Sequence, residues 1–236
     1  MISSSLLTFS VALWDKGLFG LNWPDQVGAA NTNWNNNEPV NPLREKDGFG
    51  TDQWFGHGLK GFPPKSGDFM VLPSGGRYNG EVQCNRAGTT LRDPAITWAL
   101  PQYACDVSSS SLISLKHAHL QNEGPLHVMN KFGQAVDNSK FGGTALAIAY
   151  TSDVGSLQPN DMTIISVNYN SVWEREISYD IPAGLPPCPE GGCLCTWNWI
   201  HQASDQEGYG EEIVSLTLCI LWVELTSSTT LFTDVK

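Results

Sequence analysis

The strongest structural signal in the chain is the stretch Cys188-Pro-Glu-Gly-Gly-Cys-Leu-Cys-Thr-Trp-Asn-Trp-Ile-His201. In its second half, two cysteines and two tryptophans stand at every second position. Side chains two residues apart lie on the same face of an extended strand. The pattern therefore predicts a β-strand with Cys193, Cys195, Trp197 and Trp199 on one face and Leu194, Thr196 and Asn198 on the other.

The cysteines of this stretch have two interpretations. Together with His201, the residues Cys188, Cys193 and Cys195 could supply four donors to a zinc ion. Structural zinc sites usually pair ligands two to four residues apart in turns, whereas Cys-x-Cys inside an aromatic strand is typical of disulfides in a secreted sandwich. We favour disulfides, with zinc as the alternative.

Charge and composition narrow the class of protein. Thirteen basic residues against 24 acidic ones give the 236-residue chain a formal net charge of -11. This sign of charge repels both a nucleic-acid backbone and an anionic membrane. Six cysteines and only 16% charged residues favour a secreted, extracellular protein, because disulfides persist outside the cell. We expect a monomer with no nucleic-acid or membrane partner.

Strand-like runs separated by turn residues dominate the rest of the chain. Residues 66–76 and 80–84 indicate two short strands joined as a hairpin. Residues 143–150, 162–169 and 176–181 indicate three more strands, and no long amphipathic helix alternates with them. The pattern predicts an all-β fold, an antiparallel β-sandwich with long loops.

Three segments lack this pattern of strands and turns, namely residues 1–10, 107–121 and 214–236. Each is rich in Ser, Thr and Leu and lacks the turn punctuation found elsewhere. They are either ordinary variable loops and tails or translated non-coding sequence. We expect a remnant or aberrant N-terminal segment, a loop insertion and an aberrant or disordered tail. The last two should pack poorly, since neither has the pattern needed to cover a sheet face.

Several motifs occur in an order that points to one family. They are Val11-Ala-Leu-Trp14, Pro63-Pro-Lys-Ser-Gly-Asp-Phe69 with Leu72-Pro-Ser-Gly-Gly76, Asn85-Arg-Ala-Gly-Thr-Thr90, Leu126-His127, Thr144-Ala-Leu-Ala-Ile-Ala-Tyr-Thr-Ser-Asp153 and Leu185-Pro-Pro-Cys-Pro-Glu-Gly-Gly-Cys-Leu-Cys195. This series resembles the basidiomycete lytic polysaccharide monooxygenases of auxiliary activity family fourteen, the xylan-active type. The resemblance covers residues 11–213 apart from 107–121, and the last motif is the most specific.

The resemblance implies a fold and a chemistry. Members of that family are secreted immunoglobulin-like β-sandwiches that hold one copper ion on a flat face. The amino group and ring of an N-terminal histidine, a second histidine and an axial tyrosine bind the copper, and imidazole donors suit that metal. The resemblance therefore implies oxidative cleavage of plant cell-wall polysaccharide, such as xylan or cellulose, as the ancestral function.

The family's copper ligands carry over to this sequence in part. His127 matches the second histidine by motif. Tyr209 is the candidate for the axial and catalytic tyrosine, with an alignment of the family's tyrosine to Val214 as the alternative. The N-terminal histidine should stand directly before Val11, where this sequence has Ser10. We therefore expect weak copper binding and no oxidative activity in the chain as written.

Aromatic residues in the loop-rich N-terminal part are candidates for substrate binding. Aromatic faces bind the apolar faces of pyranose rings, so Trp23 and Trp34 could stack on sugars, with core packing as the alternative. Among the remaining histidines, His117 and His119 could bind metal from one strand face, and His57 fits a loop beside aromatic residues.

Two other functions stay open as rivals. A non-catalytic carbohydrate-binding or surface-interaction module would use the same sandwich and is favoured by the missing histidine. A small hydrolase would need an acid and a base carboxylate, and nothing in the sequence positions such a pair. The loop carboxylates considered for it are Glu211 with Glu212, and Asp25 with Glu38.

Overall fold

The computed structural model describes residues 11–24, 33–40, 43–44, 48–105, 142–200 and 213–224. Within these ranges the protein is nearly all β, with two sheets packed against each other, as the sequence predicts. Its strands are β1 (Ala12–Trp14), β2 (Leu43–Arg44), β3 (Met70–Pro73), β4 (Arg77–Gln83), β5 (Thr144–Ala149), β6 (Thr163–Asn168), β7 (Glu176–Asp180), β8 (Cys193–Ile200) and β9 (Ile213–Glu224). One short helix, α1 (Thr51–Trp54), lies in the connection between β2 and β3.

Strand β8 lies inside the larger sheet, between β5 and β9. Its two cysteines and two tryptophans belong to the main core between the sheets, and each is at most 3% exposed. Leu194 belongs instead to a second cluster, which contains Phe19 and Leu218. The alternation predicted from the sequence is therefore confirmed, and both faces of this strand are covered.

All six cysteines form disulfides, which are Cys84–Cys105, Cys188–Cys193 and Cys195–Cys219. The last joins β8 to β9 at directly paired positions. The disulfide interpretation is confirmed. The zinc alternative is wrong, because the cysteines of the stretch have no free thiolate to give a metal. His201, the fourth donor considered, lies outside the described residues.

The two sheets differ in size. The smaller sheet has the strand order β1-β4-β7, and both of its pairings are antiparallel. The larger sheet has the order β2-β9-β8-β5-β6, with β3 paired parallel to β9. The sandwich is therefore antiparallel except for that one pair.

The predicted hairpin between residues 66–76 and 80–84 is wrong. Both strands exist, but β3 pairs with β9 in the larger sheet and β4 pairs with β1 and β7 in the smaller one. The chain crosses between the sheets in a turn in which Gly76 N–H donates to Pro73 O at 2.9 Å. Alternation along a strand tells which face is buried and does not tell which strand lies beside it.

The expected poor packing after residue 214 is also wrong as far as residue 224. Strand β9 pairs with β8 along most of its length and carries four buried apolar side chains near its middle and end. They are Leu218, Cys219, Leu221 and Val223. Residues 218–223 of this strand are apolar at every position, so the sequence lacks the alternation of a half-exposed strand, although Trp222 is 41% exposed. Residues 225–236 and 107–121 lie outside the described residues.

A buried chain of hydrogen bonds links the sheets through the core. Trp197 Nε1 on β8 donates to the Tyr179 hydroxyl on β7 at 2.8 Å. That hydroxyl also bonds the Thr144 hydroxyl, which in turn contacts Ser171 Oγ at 2.6 Å. Burial raises the pKa of Tyr179, so the phenol keeps its proton. Each of these four side chains has a hydrogen-bond partner, which avoids the cost of an unsatisfied buried group.

The backbone after β1 passes very close to the larger sheet. Gly17 is buried, and its carbonyl accepts from Ile220 N at 2.8 Å. A Cβ atom at this position would lie 2.1 Å from Ile220 O and 2.5 Å from Met70 N. Both neighbours are backbone atoms of paired strands, so they have no room to move aside. Glycine is therefore required at this crossing.

We expect Gly17→Ala to lower the free energy of unfolding by about 3 kcal/mol, the order of other overpacked cores. Thermal unfolding followed by circular dichroism measures this as a Tm reduced by roughly 6–12 °C. Gly61→Ala is the matched control, because its Cβ would meet nothing within 4 Å. Equal Tm values for the two variants would contradict the close approach.

Asp15 directly follows β1, and its carboxyl is partly buried. Its Oδ1 accepts from Gly17 N at 3.1 Å, and its Oδ2 accepts from the Tyr78 hydroxyl at 2.9 Å. Burial raises the pKa of Asp15 above its usual 3.8, and these hydrogen bonds offset only part of the effect. The folded state therefore holds this proton more tightly than the unfolded chain does.

The raised pKa of Asp15 determines in which direction pH changes the stability of the fold. Below pH 3.8 Asp15 is protonated in both the folded and the unfolded state, and its tighter proton binding in the folded state stabilises the fold. This stabilisation is lost as the pH rises through the raised pKa of the folded state. We expect Asp15→Asn to raise Tm at pH 7 more than at pH 3, because asparagine keeps both contacts without the buried charge. Asp153→Asn should do the reverse, since hydrogen bonds from Ser156 and Gly155 lower the pKa of Asp153. A pH-independent difference for Asp15→Asn would contradict this.

Candidate functional site

The end of the smaller sheet at which β1 begins is built around Gln83. Ala12 pairs with this residue, and Trp14 Nε1 donates to its carbonyl at 2.8 Å. The buried Gln83 side chain accepts from Cys105 N at 2.8 Å and donates to Tyr103 O at 3.1 Å. Gln83 thereby fixes the start of β1 against residues 103–105, which the Cys84–Cys105 disulfide also holds.

An arginine and a tryptophan stack beside this end. Arg86 follows β4, and its guanidinium carbon lies 4.4 Å from the centre of the Trp34 ring. Arg86 Nε donates to Leu91 O at 2.7 Å and its Nη1 to Leu21 O at 2.6 Å. Burial lowers the pKa of Arg86 to about 10, so it stays protonated at neutral pH. The guanidinium thus joins two loops and supports a tryptophan that is 39% exposed.

Asn85 completes the support of the Trp34 loop. Its side-chain oxygen accepts from Ala87 N at 2.8 Å, which caps the 3-10 turn Arg86–Gly88. Its Nδ2 donates to Asn35 O at 2.8 Å, one residue beyond Trp34. The motif Asn85-Arg-Ala-Gly therefore has a structural role that the sequence analysis missed. Only the motif itself could have signalled it, because its partners are far away along the chain.

Trp23 is held differently from Trp34. Its ring centre lies 4.2 Å from that of Phe62, and it packs against the second core cluster. The Trp23 carbonyl accepts from Asn33 N at 2.9 Å, so the two tryptophan loops are joined by a backbone hydrogen bond. Trp23 is partly buried, which supports the packing interpretation, whereas Trp34 presents an accessible ring.

The residues predicted to bind copper cannot be placed. His127, Tyr209 and Ser10 lie outside the described residues, as do His117 and His119. In the described ranges His57 is the sole histidine, and it occupies the turn after α1 with a left-handed φ of 57°. No group of three His, Cys, Asp or Glu side chains in those ranges could hold a metal ion.

The carboxylates considered for a hydrolase also gain no support. Asp25, Glu211 and Glu212 lie outside the described residues, and Glu38 lies in the 3-10 turn Glu38–Val40. Among the helices that the structure describes, none is long and apolar enough to cross a membrane.

Comparison with known proteins identifies the family. The family described as lytic polysaccharide monooxygenase AA14 matches residues 2–215. The chain is 35% identical over 191 residues to AA14 family lytic polysaccharide monooxygenase A of Trametes coccinea (strain BRFM310), covering 80% of this chain and 38% of that protein. It is 34% identical over 203 residues to the B proteins of Trametes coccinea and Pycnoporus cinnabarinus, covering 86% of this chain and 42% and 46% of theirs.

The chain spans less than half the length of these relatives. The family match nevertheless extends over most of its own residues, and the disulfide-linked sandwich agrees with it. This chain therefore belongs to the AA14 family of lytic polysaccharide monooxygenases.

Proposed function

We propose that this chain is a secreted protein of the polysaccharide monooxygenase type, whose ancestral activity is copper-dependent oxidative cleavage of plant cell-wall polysaccharide, either xylan or cellulose. The family match over residues 2–215 is the observation that carries the proposal. Three disulfides support secretion, because such bonds persist in oxidising compartments. The net charge of -11 supports a neutral polysaccharide over a polyanion.

In this proposal His127 would supply an imidazole ligand to copper and Tyr209 a phenol oxygen. Copper, when bound, supplies the redox chemistry that oxidises a carbon next to a glycosidic bond. Ser10 stands directly before Val11 and has no imidazole, and its nitrogen is an amide joined to Phe9. A lone histidine and a tyrosine make a weaker site than three nitrogen donors, so the chain as written should bind copper weakly.

Trp34 is proposed to contact the polysaccharide. Its ring is accessible, and Arg86 and Asn85 hold its loop beside the start of β1, next to the position at which the family resemblance puts the metal. An aromatic face held rigidly can stack on a pyranose with little loss of conformational entropy. Trp23 is proposed to support that loop through its carbonyl, which accepts from Asn33 N, while its own ring packs on Phe62.

The alternative is a non-catalytic carbohydrate-binding module on the same sandwich. Two observations favour it, namely the serine at position 10 and the accessible ring of Trp34. Such a module would bind polysaccharide without tight copper binding and without releasing oxidised products. The two experiments below separate copper binding from polysaccharide binding.

The first experiment restores the missing donors. A protein that begins at residue 10 and carries Ser10→His offers both a free amino group and an imidazole at that position. We expect its copper(II) affinity to exceed that of the unaltered chain by orders of magnitude, because two nitrogen donors are added beside His127. Isothermal titration calorimetry measures the affinity, and release of oxidised oligosaccharides measures activity.

Two results bear on the position of the site. Adding His127→Ala to the Ser10→His protein should abolish the gain in affinity. Tight copper binding by the unaltered chain, or a gain that survives His127→Ala, would show that the proposed ligands are wrong.

The second experiment tests the polysaccharide contact without copper. We expect Trp34→Ala to weaken binding to insoluble xylan or cellulose roughly fivefold, the equivalent of about 1 kcal/mol of stacking. Partition between pellet and supernatant measures the binding. Tyr150→Ala is the control, since Tyr150 is 43% exposed after β5 and belongs to no proposed contact. Equal losses in both variants would argue against a specific role for Trp34.

A further inference from the structure

A groove of about 820 Å³ lies over the outer face of the smaller sheet. Its floor comes from β4 and β7, and residues 14–16 with Phe69 and Val71 form one side. It extends toward Arg77, whereas β1 begins opposite Gln83 at the other end of β4. The polar floor of the groove therefore lies away from Trp34, although Leu91, whose carbonyl accepts from Arg86, also lines the groove. Its volume is that of a ligand site.

The floor of the groove is a row of polar side chains. Asn79 lies opposite Ser178 in the middle, Glu81 lies opposite Glu176 at one end, and Arg77 forms the other end. At about 3.3 Å per residue the row spans roughly 13 Å. This length accommodates more than one sugar ring, and a polar floor does not favour an apolar ligand.

The charged groups along the row are already paired. Arg175 contacts the carboxylates of Glu81 and Glu176, and the side chains of Arg175 and Glu81 are only 11% and 12% exposed. Arg77 Nε lies 2.9 Å from Asp180 Oδ1. Both guanidinium groups therefore have carboxylate partners, and the other charged lining residues, Asp15, Lys16 and Glu224, add no net positive charge to attract an anionic ligand. A neutral ligand does not depend on such charge.

The middle of the row is different. The side chains of Asn79 and Ser178 make no hydrogen bond to any part of the chain that the structure describes. An amide and a hydroxyl together offer donors and acceptors suited to the hydroxyl groups of a sugar. These two side chains stand between the ion pairs, where a ligand lying along the row would meet them.

An apolar platform adjoins the side of the groove that Phe69 and Val71 form. Phe69 lines the groove, and its ring centre lies 6.0 Å from that of Trp222 on β9. Trp222 is the register partner of Val71, and these two side chains are 41% and 47% exposed. An accessible aromatic beside polar groups is the combination that binds both faces of a pyranose, the apolar ring and its hydroxyls.

We infer that this groove is a second glycan-binding site, which takes a neutral oligosaccharide segment without copper. Asn79 and Ser178 bind its hydroxyl groups, and Trp222, which lies next to Val71 just outside the groove, stacks on a ring that extends over that side. The choice of plant cell-wall glycans as ligands rests on the proposed function. The site itself uses none of the copper ligands, so a chain with weak copper binding would still hold polysaccharide here.

The test measures binding of xylohexaose and of cellohexaose to the full chain in the presence of a metal chelator, by isothermal titration calorimetry. We expect the wild type to bind at least one of them, and Asn79→Ala and Trp222→Ala each to weaken binding about fivefold or more. Asn160→Ala, an exposed asparagine outside the groove, is the matched control for Asn79→Ala and should leave binding unchanged. Circular dichroism confirms that each variant is folded.

Three results would overturn the inference. The wild type could bind neither hexaose, or its binding could be insensitive to both groove variants. Loss of that binding in Trp34→Ala would then leave the proposed function standing. Sedimentation could instead reveal a dimer that Asn79→Ala disrupts, which would assign the groove to a second copy of the chain. Failure of the copper titration alone would count against the proposed function and would not affect the inference that the groove binds glycan.

Discussion

Strand β8 must be covered on both faces and paired on both edges, and much of the architecture follows from that requirement. Its cysteine and tryptophan face needs a second sheet opposite it, and its Leu194 face needs the cluster that Phe19 and Phe55 help to form. The segment that brings Phe19 to that face has to pass against β9, which is why Gly17 lies in backbone contact with Ile220. A single strand thus determines where loops far away in sequence must lie.

The contact between the two sheets is set by polar as well as apolar groups. Trp197 and Tyr179 fill the space between β8 and β7, and their hydrogen bond fixes their relative position. Apolar packing alone tolerates several arrangements of similar volume, whereas a buried indole and phenol need specific partners. The core therefore specifies one registration of the sheets, and the loops that carry Trp34 and Arg86 are built on that fixed base.

Sequence patterns predicted the parts of the fold that depend on one strand at a time. The faces of β8 and the β character of residues 143–150 and 176–181 follow from local alternation, and the structure has them. The partner of β3 and the strand nature of residues 214–224 did not follow. Partner choice depends on contacts between distant segments, and β9 is apolar on both faces.

The residues of the candidate site also differ in whether the sequence could predict them. His127 and Tyr209 come from motif resemblance and lie outside the described residues, and Trp34 was recognisable as a loop aromatic. Its support by Arg86, and the outer-face row centred on Asn79, could not be predicted, because their partners lie tens of residues away. Long-range stacking and cross-strand pairing leave no local periodicity in a sequence.

Side chains of β6 close one edge of the sandwich. Ser166 Oγ donates to Asp180 O at 2.8 Å, and Asn168 Nδ2 donates to Ser178 O at 3.2 Å, so these acceptors on the edge strand β7 are occupied by the protein itself. An unoccupied strand edge is a template for pairing with another chain, and proteins that crowd onto an insoluble surface meet one another often. Because its acceptors are already used within the protein, this edge offers little template for pairing with another chain.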